Sequence, residues 1–141
     1  FILSKQDILD FEAEHRQITE GAFVAFRSDW SKRWPSQDAM RNLDDNGVQQ
    51  SPGWGREALE FLIHERHVKA VGHETFDTDA GIPAAEHGLV NEYYLLDQDI
   101  YQVEVLNQLD QVPAVGALIS IAFPHWDKAT GSPVRAVAIL P

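Results

Sequence analysis

The chain has 141 residues, a length that predicts one domain or a large part of one. Asp and Glu number 22 against 11 Lys and Arg, and the resulting formal charge of −11 would repel a phosphate backbone, so we expect no nucleic-acid partner. Cysteine is absent, which excludes disulfides, thiolate metal ligands and a Cys nucleophile. No apolar run approaches the roughly 20 residues of a membrane helix, and we expect a cytoplasmic protein without membrane association.

The first half of the chain predicts a helix, a strand and then a long irregular segment. Ser4 is a good N-cap with Asp7 three residues later, so we predict a helix over residues 5–16. Residues 22–26 follow as a short buried strand. No period is sustained over residues 28–55, but this segment carries three tryptophans, which disordered segments rarely have. We therefore expect it to cover a site or to help form a subunit interface.

The second half of the chain predicts helices that lead into strands, followed by consecutive strands. The predicted helices cover residues 56–66 and 84–96, and the predicted strands cover residues 68–72, 100–106, 117–123 and 134–140. This order predicts a mixed α/β fold in which helices pack on one or two sheets.

Five segments contain short motifs of recognisable spacing: Ala25–Trp30, Pro52–Trp54, Gly72–Thr75, Glu104–Asp110 and Gly131–Ile139. In the same order along the chain, they resemble the Arg-Thr-Gly-Trp, Pro-Gly-Trp, Gly-x-Asp-Thr, Glu-x-Leu-x-Asn-Leu-Asp and Gly-x-Pro-Val-Arg stretches of the cyclase family of metal-dependent hydrolases, which includes the kynurenine formamidases. Glu74 stands where the family has Asp, and Gln108 stands where it often has Asn. The resemblance spans nearly the whole chain.

The resemblance implies a swivelling β/β/α cyclase-like fold, with residues 1–141 as a single cyclase-like domain. The family's motif His-x-Gly-Thr-His-x-Asp-x-Pro, which supplies most of its metal ligands, does not occur in this sequence. We therefore expect the chain to be the carboxy-terminal part of a longer domain. The resemblance implies a homo-oligomeric, zinc- or manganese-dependent hydrolase of small molecules, namely aryl formamides or cyclic amides. The alternative is a non-catalytic member of the fold that acts as a binding or assembly module.

Glu92 and Glu104 are the candidate metal ligands. They lie twelve residues apart, the interval at which a His and a Glu complete the metal site in the family that the chain resembles. A carboxylate can replace an imidazole as a ligand of zinc or manganese. Glu104 also lies between two valines of a predicted strand, where an unpaired carboxylate is costly. The alternative is that Glu104 is simply a solvent-exposed residue of that strand.

Other polar and aromatic residues favour structural roles. His64 and His67, three residues apart, are predicted in the last turn of a helix, where the helix dipole favours partial cations. Glu74 is predicted to order its loop through hydrogen bonds to Thr75 and backbone amides. Trp30 and Trp34 are either core or interface residues or the lining of a pocket for an aromatic substrate. A serine hydrolase is excluded because no Gly-x-Ser-x-Gly elbow occurs.

Overall fold

A computed structural model describes residues 1–141 and shows a mixed α/β fold, as the sequence predicts. The helices are α1 (Lys5–Glu14), α2 (Gln37–Arg41), α3 (Arg56–His64), α4 (Gly81–His87) and α5 (Val90–Asp97). The strands are β1 (Ile2–Leu3), β2 (Phe23–Phe26), β3 (Gly53–Trp54), β4 (Ala70–His73), β5 (Tyr101–Val103), β6 (Leu118–Ala122) and β7 (Arg135–Ile139). No helix is both long enough and apolar enough to cross a membrane.

Helices α1 and α3 pack on each other and on the central sheet. The capping box predicted for α1 is present: the Ser4 hydroxyl accepts a hydrogen bond from the Asp7 amide at 3.2 Å, and the Asp7 carboxylate accepts one from the Ser4 amide at 2.7 Å. Helix α3 buries Leu59 and Leu62, which belong to a core cluster of 11 buried residues. This cluster lies between the helices and one face of the sheet.

The central sheet is parallel, with strand order β2-β4-β5. Every residue of β4 is buried, as expected for the middle strand of a parallel sheet that is covered on both sides. Gly72 has no side chain for a steric reason. A Cβ at this position would lie 2.5 Å from the Phe23 ring and 2.6 Å from the Leu106 side chain.

The strands form three separate sheets, which corrects the prediction of one or two packed sheets. Strands β1 and β3 pair in parallel with each other, and β6 and β7 form an antiparallel pair of their own. The second pair leaves large apolar side chains such as Leu118 and Ile139 exposed. Apolar content predicted β6 and β7 but not the two-residue strands β1 and β3, and it does not determine which sheet a strand joins.

Three further details differ from the sequence prediction. The helix predicted over residues 84–96 is two helices, α4 and α5. Gly88 adopts a positive φ of 78° and ends α4. The irregular segment contains a 3₁₀ turn at Trp30–Arg33 and helix α2. The strand predicted to include Glu104 ends at Val103, and Val105 has a positive φ of 54°. Glu104 therefore follows β5 directly and does not lie within it.

Candidate functional site

The polar residues that could carry chemistry collect at one edge of the central sheet. Strands β2, β4 and β5 run parallel, so their carboxyl ends share one edge, the position at which α/β sheets usually place their sites. Glu74 follows β4, and Glu104 follows β5. Helix α5 contributes Glu92 to the site.

Glu74 orders the loop that follows β2. Its side chain is buried, with 1% of the residue exposed. One carboxylate oxygen accepts hydrogen bonds from the Ser28 amide at 2.8 Å, the Ser28 hydroxyl at 3.2 Å and the Trp30 amide at 3.1 Å. The other oxygen accepts a bond from the Ser31 hydroxyl at 2.7 Å. The predicted structural role is confirmed, but the partners are residues 28–31 and do not include Thr75.

The tryptophans of residues 28–55 divide into two buried residues and one exposed residue. The Trp30 indole nitrogen donates to the Met40 carbonyl at 2.9 Å, and the Arg33 guanidinium lies 3.8 Å from the Trp30 ring centre. Trp54 is buried in the core cluster. Trp34 is 63% exposed. Of the two predicted pocket residues, only Trp34 is therefore available to a ligand or a subunit partner.

Asp79 anchors the amino terminus of α5. One of its oxygens accepts a hydrogen bond from the Asn91 amide at 2.9 Å, and the other accepts bonds from the Asn91 and Glu92 amides at 3.0 Å and 2.9 Å. Leu89, the N-cap residue just before the helix, has no side chain that can cap it. Asp79 thus acts as a remote cap that fixes the backbone of Glu92. The sequence does not predict this role because Asp79 lies twelve residues before Asn91.

The candidate ligands Glu92 and Glu104 lie close enough for their charges to interact. Partial burial of the carboxyl group, and then the negative charges of Glu92 and Asp77, raise the pKa of Glu104 to about 7, although the residue as a whole is exposed. Burial also raises the pKa of Glu92, and Asp77 and Asp79 add to the rise, while the Gln102 side chain acts against it. The Oε2 atom of Glu92 is buried and has no hydrogen-bond partner. Both carboxylates are therefore in surroundings that favour a bound cation or proton.

Gln102 links this pair to the loop before α4. Its side-chain nitrogen donates to Oε1 of Glu104 at 3.1 Å. Its side-chain oxygen accepts a hydrogen bond from the buried Thr78 hydroxyl. Gln102 therefore bonds to Oε1 of Glu104 and not to Oε2.

His73 is buried at the end of β4. The Trp54 indole nitrogen donates to Nδ1 of His73 at 3.3 Å, so the ring proton of a neutral His73 lies on Nε2, which is buried and has no partner. Burial lowers the pKa of His73 to about 4. His73 is therefore a neutral donor near pH 7 and is part of the core beside Trp54.

The other histidines and the surface clefts lie outside this arrangement. Helix α3 ends at His64, and His67 lies beyond it with a positive φ of 53°, so the predicted helical pair does not form. The His64 ring nitrogen instead lies 2.9 Å from the Tyr94 hydroxyl. Two surface clefts, of about 310 Å³ and about 390 Å³, are lined by neither Glu92 nor Glu104.

The residues present fit a divalent cation only in part. Glu92 and Glu104 offer oxygen donors, which suit manganese and are accepted by zinc. The structure contains no group of three or more His, Asp and Glu side chains arranged to hold a metal ion. A catalytic zinc site usually has three protein ligands and one open position. This chain therefore supplies two candidate ligands of such a site.

The chain belongs to the cyclase family. The family model described as "Putative cyclase" matches residues 1–80. These residues include β1 to β4 and Glu74, which is a hub in the sense that its carboxylate accepts four hydrogen bonds. This match confirms the resemblance that the short motifs indicated.

Three similar relatives of this chain are all isatin hydrolases. Isatin hydrolase of Roseibium aggregatum is 35% identical over 142 residues, which cover all of this chain and 53% of that protein. The structure of isatin hydrolase A from Ralstonia solanacearum matches with a TM-score of 0.93 at 34% identity, over 100% of this chain and 54% of that one. An isatin hydrolase bound to the product analogue thioisatinate matches with a TM-score of 0.92 at 33% identity, over 100% of this chain and 53% of the other. The chain thus spans about half the length of the relatives it matches.

A more distant structure supports the fold alone. A protein described as a potential metal-dependent hydrolase with cyclase activity matches with a TM-score of 0.69 at 19% identity, over 96% of this chain and 56% of that one. Together with the isatin hydrolases, it confirms the predicted cyclase-like α/β fold.

Proposed function

We propose that this chain supplies part of a metal-dependent hydrolase that opens cyclic amides. The single observation that carries the proposal is the meeting of Glu92 and Glu104 at the carboxyl edge of the parallel sheet. The charge of Glu92 adds to the raised pKa of Glu104, and a divalent cation between two such carboxylates would stabilise both. The kinship with isatin hydrolases supports the reaction class.

The two carboxylates would hold zinc or manganese as oxygen ligands. A bound divalent ion supplies Lewis-acid chemistry and lowers the pKa of water in its coordination sphere. Because two protein ligands are fewer than a catalytic site usually has, we infer that the others come from residues outside this chain. The resemblance implies that they belong to the motif His-x-Gly-Thr-His-x-Asp-x-Pro.

Amide hydrolysis requires a water oxygen to bond to the carbonyl carbon while the carbon–nitrogen bond breaks. A proton passes from the attacking water to the leaving nitrogen, and the products are an amine and a carboxylic acid, which ionises to a carboxylate. Neither Glu74 nor His73 offers a free base for this proton, because Glu74 accepts four hydrogen bonds and His73 is buried. The chain's own contribution is therefore to bind and orient, and the proton-transfer group would come from elsewhere in the complete protein.

A cyclic amide fused to an aromatic ring is the preferred substrate class. Two of the matching structures are isatin hydrolases described with benzyl benzoate or with the product analogue thioisatinate. An aryl formamide, the substrate type of kynurenine formamidases, also has an amide carbon–nitrogen bond to cleave. It is the alternative substrate class that the resemblance of the motifs implies. Trp34, which is largely exposed, is the aromatic side chain of this chain that a ring could contact.

We also propose that the protein works in the cytoplasm as a homo-oligomer. The absence of cysteine suits a reducing compartment. Trp34 and the exposed apolar residues of the β6–β7 pair offer surface for a subunit contact. Light scattering at high protein concentration tests the oligomer, and a strictly monomeric protein would contradict it.

A second candidate function is that of a non-catalytic binding or assembly module with the same fold. The observation that favours it is the lack of three clustered ligand side chains. The two candidates differ in one respect: only the hydrolase needs the charges of Glu92 and Glu104.

A chimera separates the two candidates. In the isatin hydrolase of Roseibium aggregatum, the matching half would be replaced by this chain, and isatin ring opening would be followed with added manganese. We expect activity in the chimera and a loss of at least 100-fold after Glu104→Gln. The matched control Glu14→Gln lies on α1 and should leave activity unchanged. Full activity in the Glu104→Gln chimera would exclude the proposed role of this carboxylate.

A further inference from the structure

We propose that Thr78 and Asp79 are positioning residues for both candidate ligands. Asp79 fixes the position of Glu92 through the helix backbone, and Thr78 fixes that of Glu104 through the Gln102 side chain. The inference rests on the proposed function, because it concerns the geometry of the same carboxylate pair. Thr78 and Asp79 are consecutive and fully buried. Each bonds to a different element of the site.

The loop that carries these two residues is held tightly against β3. The Thr78 carbonyl accepts a hydrogen bond from the Trp54 amide at 2.9 Å. A Cβ at Gly53 would lie 2.5 Å from the carbonyl carbon of Asp79 and 2.1 Å from the Ala80 amide nitrogen. The two backbones therefore approach as closely as a glycine permits, which restricts movement of the Asp79–Ala80 peptide and so of the loop that carries Thr78 and Asp79.

Asp79 sets the direction of α5. Its carboxylate accepts hydrogen bonds from the backbone amides of Asn91 and Glu92, which have no partner within the helix. The side-chain amide of Asn91 also donates to the Trp54 carbonyl at 2.9 Å, which ties the same helix turn to β3. These bonds hold the Cα atom of Glu92 in place relative to β3.

Thr78 sets the orientation of Glu104. Its hydroxyl donates to the side-chain oxygen of Gln102, and the Gln102 nitrogen donates to Oε1 of Glu104. If the Gln102 amide rotated by half a turn, its oxygen would face the carboxylate and repel it. The acceptor-only carboxylate of Glu104 therefore favours the observed amide orientation, and the Thr78 hydroxyl anchors the Gln102 side chain in it.

Partners of this kind matter for metal binding. Residues that hydrogen-bond to metal ligands typically change metal affinity by about 10–100-fold when they are mutated. Thr78, Asp79 and Gln102 contact no cation themselves in this scheme. They are positioning residues, and their effect should appear in affinity with the metal alone.

The test is a calorimetric titration with Mn²⁺, in parallel with thermal unfolding, of the chimera in which the 141-residue chain replaces the matching half of isatin hydrolase. Thr78→Val keeps the shape and removes the hydroxyl, and we expect affinity for Mn²⁺ to fall by about tenfold. Thr78→Ser restores a hydroxyl and should bring affinity back to within about threefold of the original chain. The control Thr130→Val lies in an exposed turn and should bind as the original chain does.

A second measurement addresses Asp79. In Asp79→Asn, we expect the amides of Asn91 and Glu92 to exchange with solvent at least tenfold faster, together with weaker Mn²⁺ binding. If the Asp79→Asn protein does not fold, the Thr78 variants still decide the matter, since they leave the helix cap intact.

The outcomes distinguish the inference from the function on which it rests. If the chimera with the original chain binds Mn²⁺ no better than its Glu104→Gln variant, the ligand pair itself is wrong and the positioning role falls with it. If that chimera binds and Glu104→Gln weakens binding, but Thr78→Val binds with unchanged affinity, the positioning inference alone is overturned.

Discussion

The negative charge of Glu92 on α5 contributes to the raised pKa of Glu104. Glu104 lies twelve residues after Glu92 and directly follows β5. The two carboxylates come from different elements and are brought together by the turn between helix and strand. Burial is the larger cause of the rise, so the protonated form of Glu104 is favoured well above the ordinary carboxyl range. The same surroundings would favour a divalent cation over two free carboxylates.

Glu104 should make the protein less stable as the pH rises. Its pKa is raised from 4.5 to about 7 on folding, so the folded chain binds more protons than the unfolded chain between these pH values. The free energy of unfolding should therefore lose a contribution as the pH goes from 4.5 to 7. Glu104→Gln should flatten this part of the profile in urea denaturation without metal, whereas Glu14→Gln should not. An identical slope in the original chain and Glu104→Gln would contradict the raised pKa.

His73 should have the opposite dependence on pH. Burial lowers its pKa from 6.5 to about 4, so the unfolded chain binds more protons than the folded chain between these values. Stability should be fully present above pH 6.5 and should decline as the pH falls towards 4. His73→Gln removes the titrating ring, and it should reduce this acid loss even if it lowers stability at pH 7. A steeper acid loss in the variant would show that His73 is not the responsible group.

Glu74 should be the most sensitive carboxylate for the stability of the fold. Its four hydrogen bonds come from Ser28, Trp30 and Ser31, and Gln would turn an NH₂ group towards some of these donors. We expect Glu74→Gln to cost about 2–4 kcal/mol in urea denaturation, since hydrogen bonds to charged groups contribute about 1.5–3 kcal/mol each. The exposed control Glu14→Gln should change stability by less than about 0.5 kcal/mol. A Glu74→Gln cost as small as that of the control would contradict the role of Glu74 as a hub.

The 141-residue chain alone should not hydrolyse isatin or N-formylkynurenine at a useful rate. Two carboxylates rarely hold a catalytic metal, which usually has three protein ligands. The measurement is product formation by the mass-verified chain with added Zn²⁺ or Mn²⁺. Turnover that depends on this chain would show that the remaining ligands and the proton-transfer group are within it.

Much of the fold follows from local patterns in the sequence. The apolar run at residues 68–72 predicted the buried strand β4, and Ser4 with Asp7 predicted the start of α1, because these signals lie within a few residues of each other. Glu104 was predicted as part of the site, but its position just after β5 was not, since the positive φ of Val105 has no clear local signal. The role of Asp79 as a remote cap depends on the close approach of Gly53 to its loop, which only the folded chain reveals.

The assignment of Glu92 and Glu104 as metal ligands is the central claim. Mn²⁺ stoichiometry and affinity test it most directly, measured in single-charge variants of the chimera that joins this chain to the other half of isatin hydrolase. Glu92→Gln, Glu104→Gln and the control Glu14→Gln each replace one carboxyl group by an amide in a chain of formal net charge −11, so the control reports any general loss of acidic attraction. We expect the two site variants to lose at least tenfold in affinity for Mn²⁺ and the control to match the original chain. Equal stoichiometry and affinity in all four proteins would contradict the assignment.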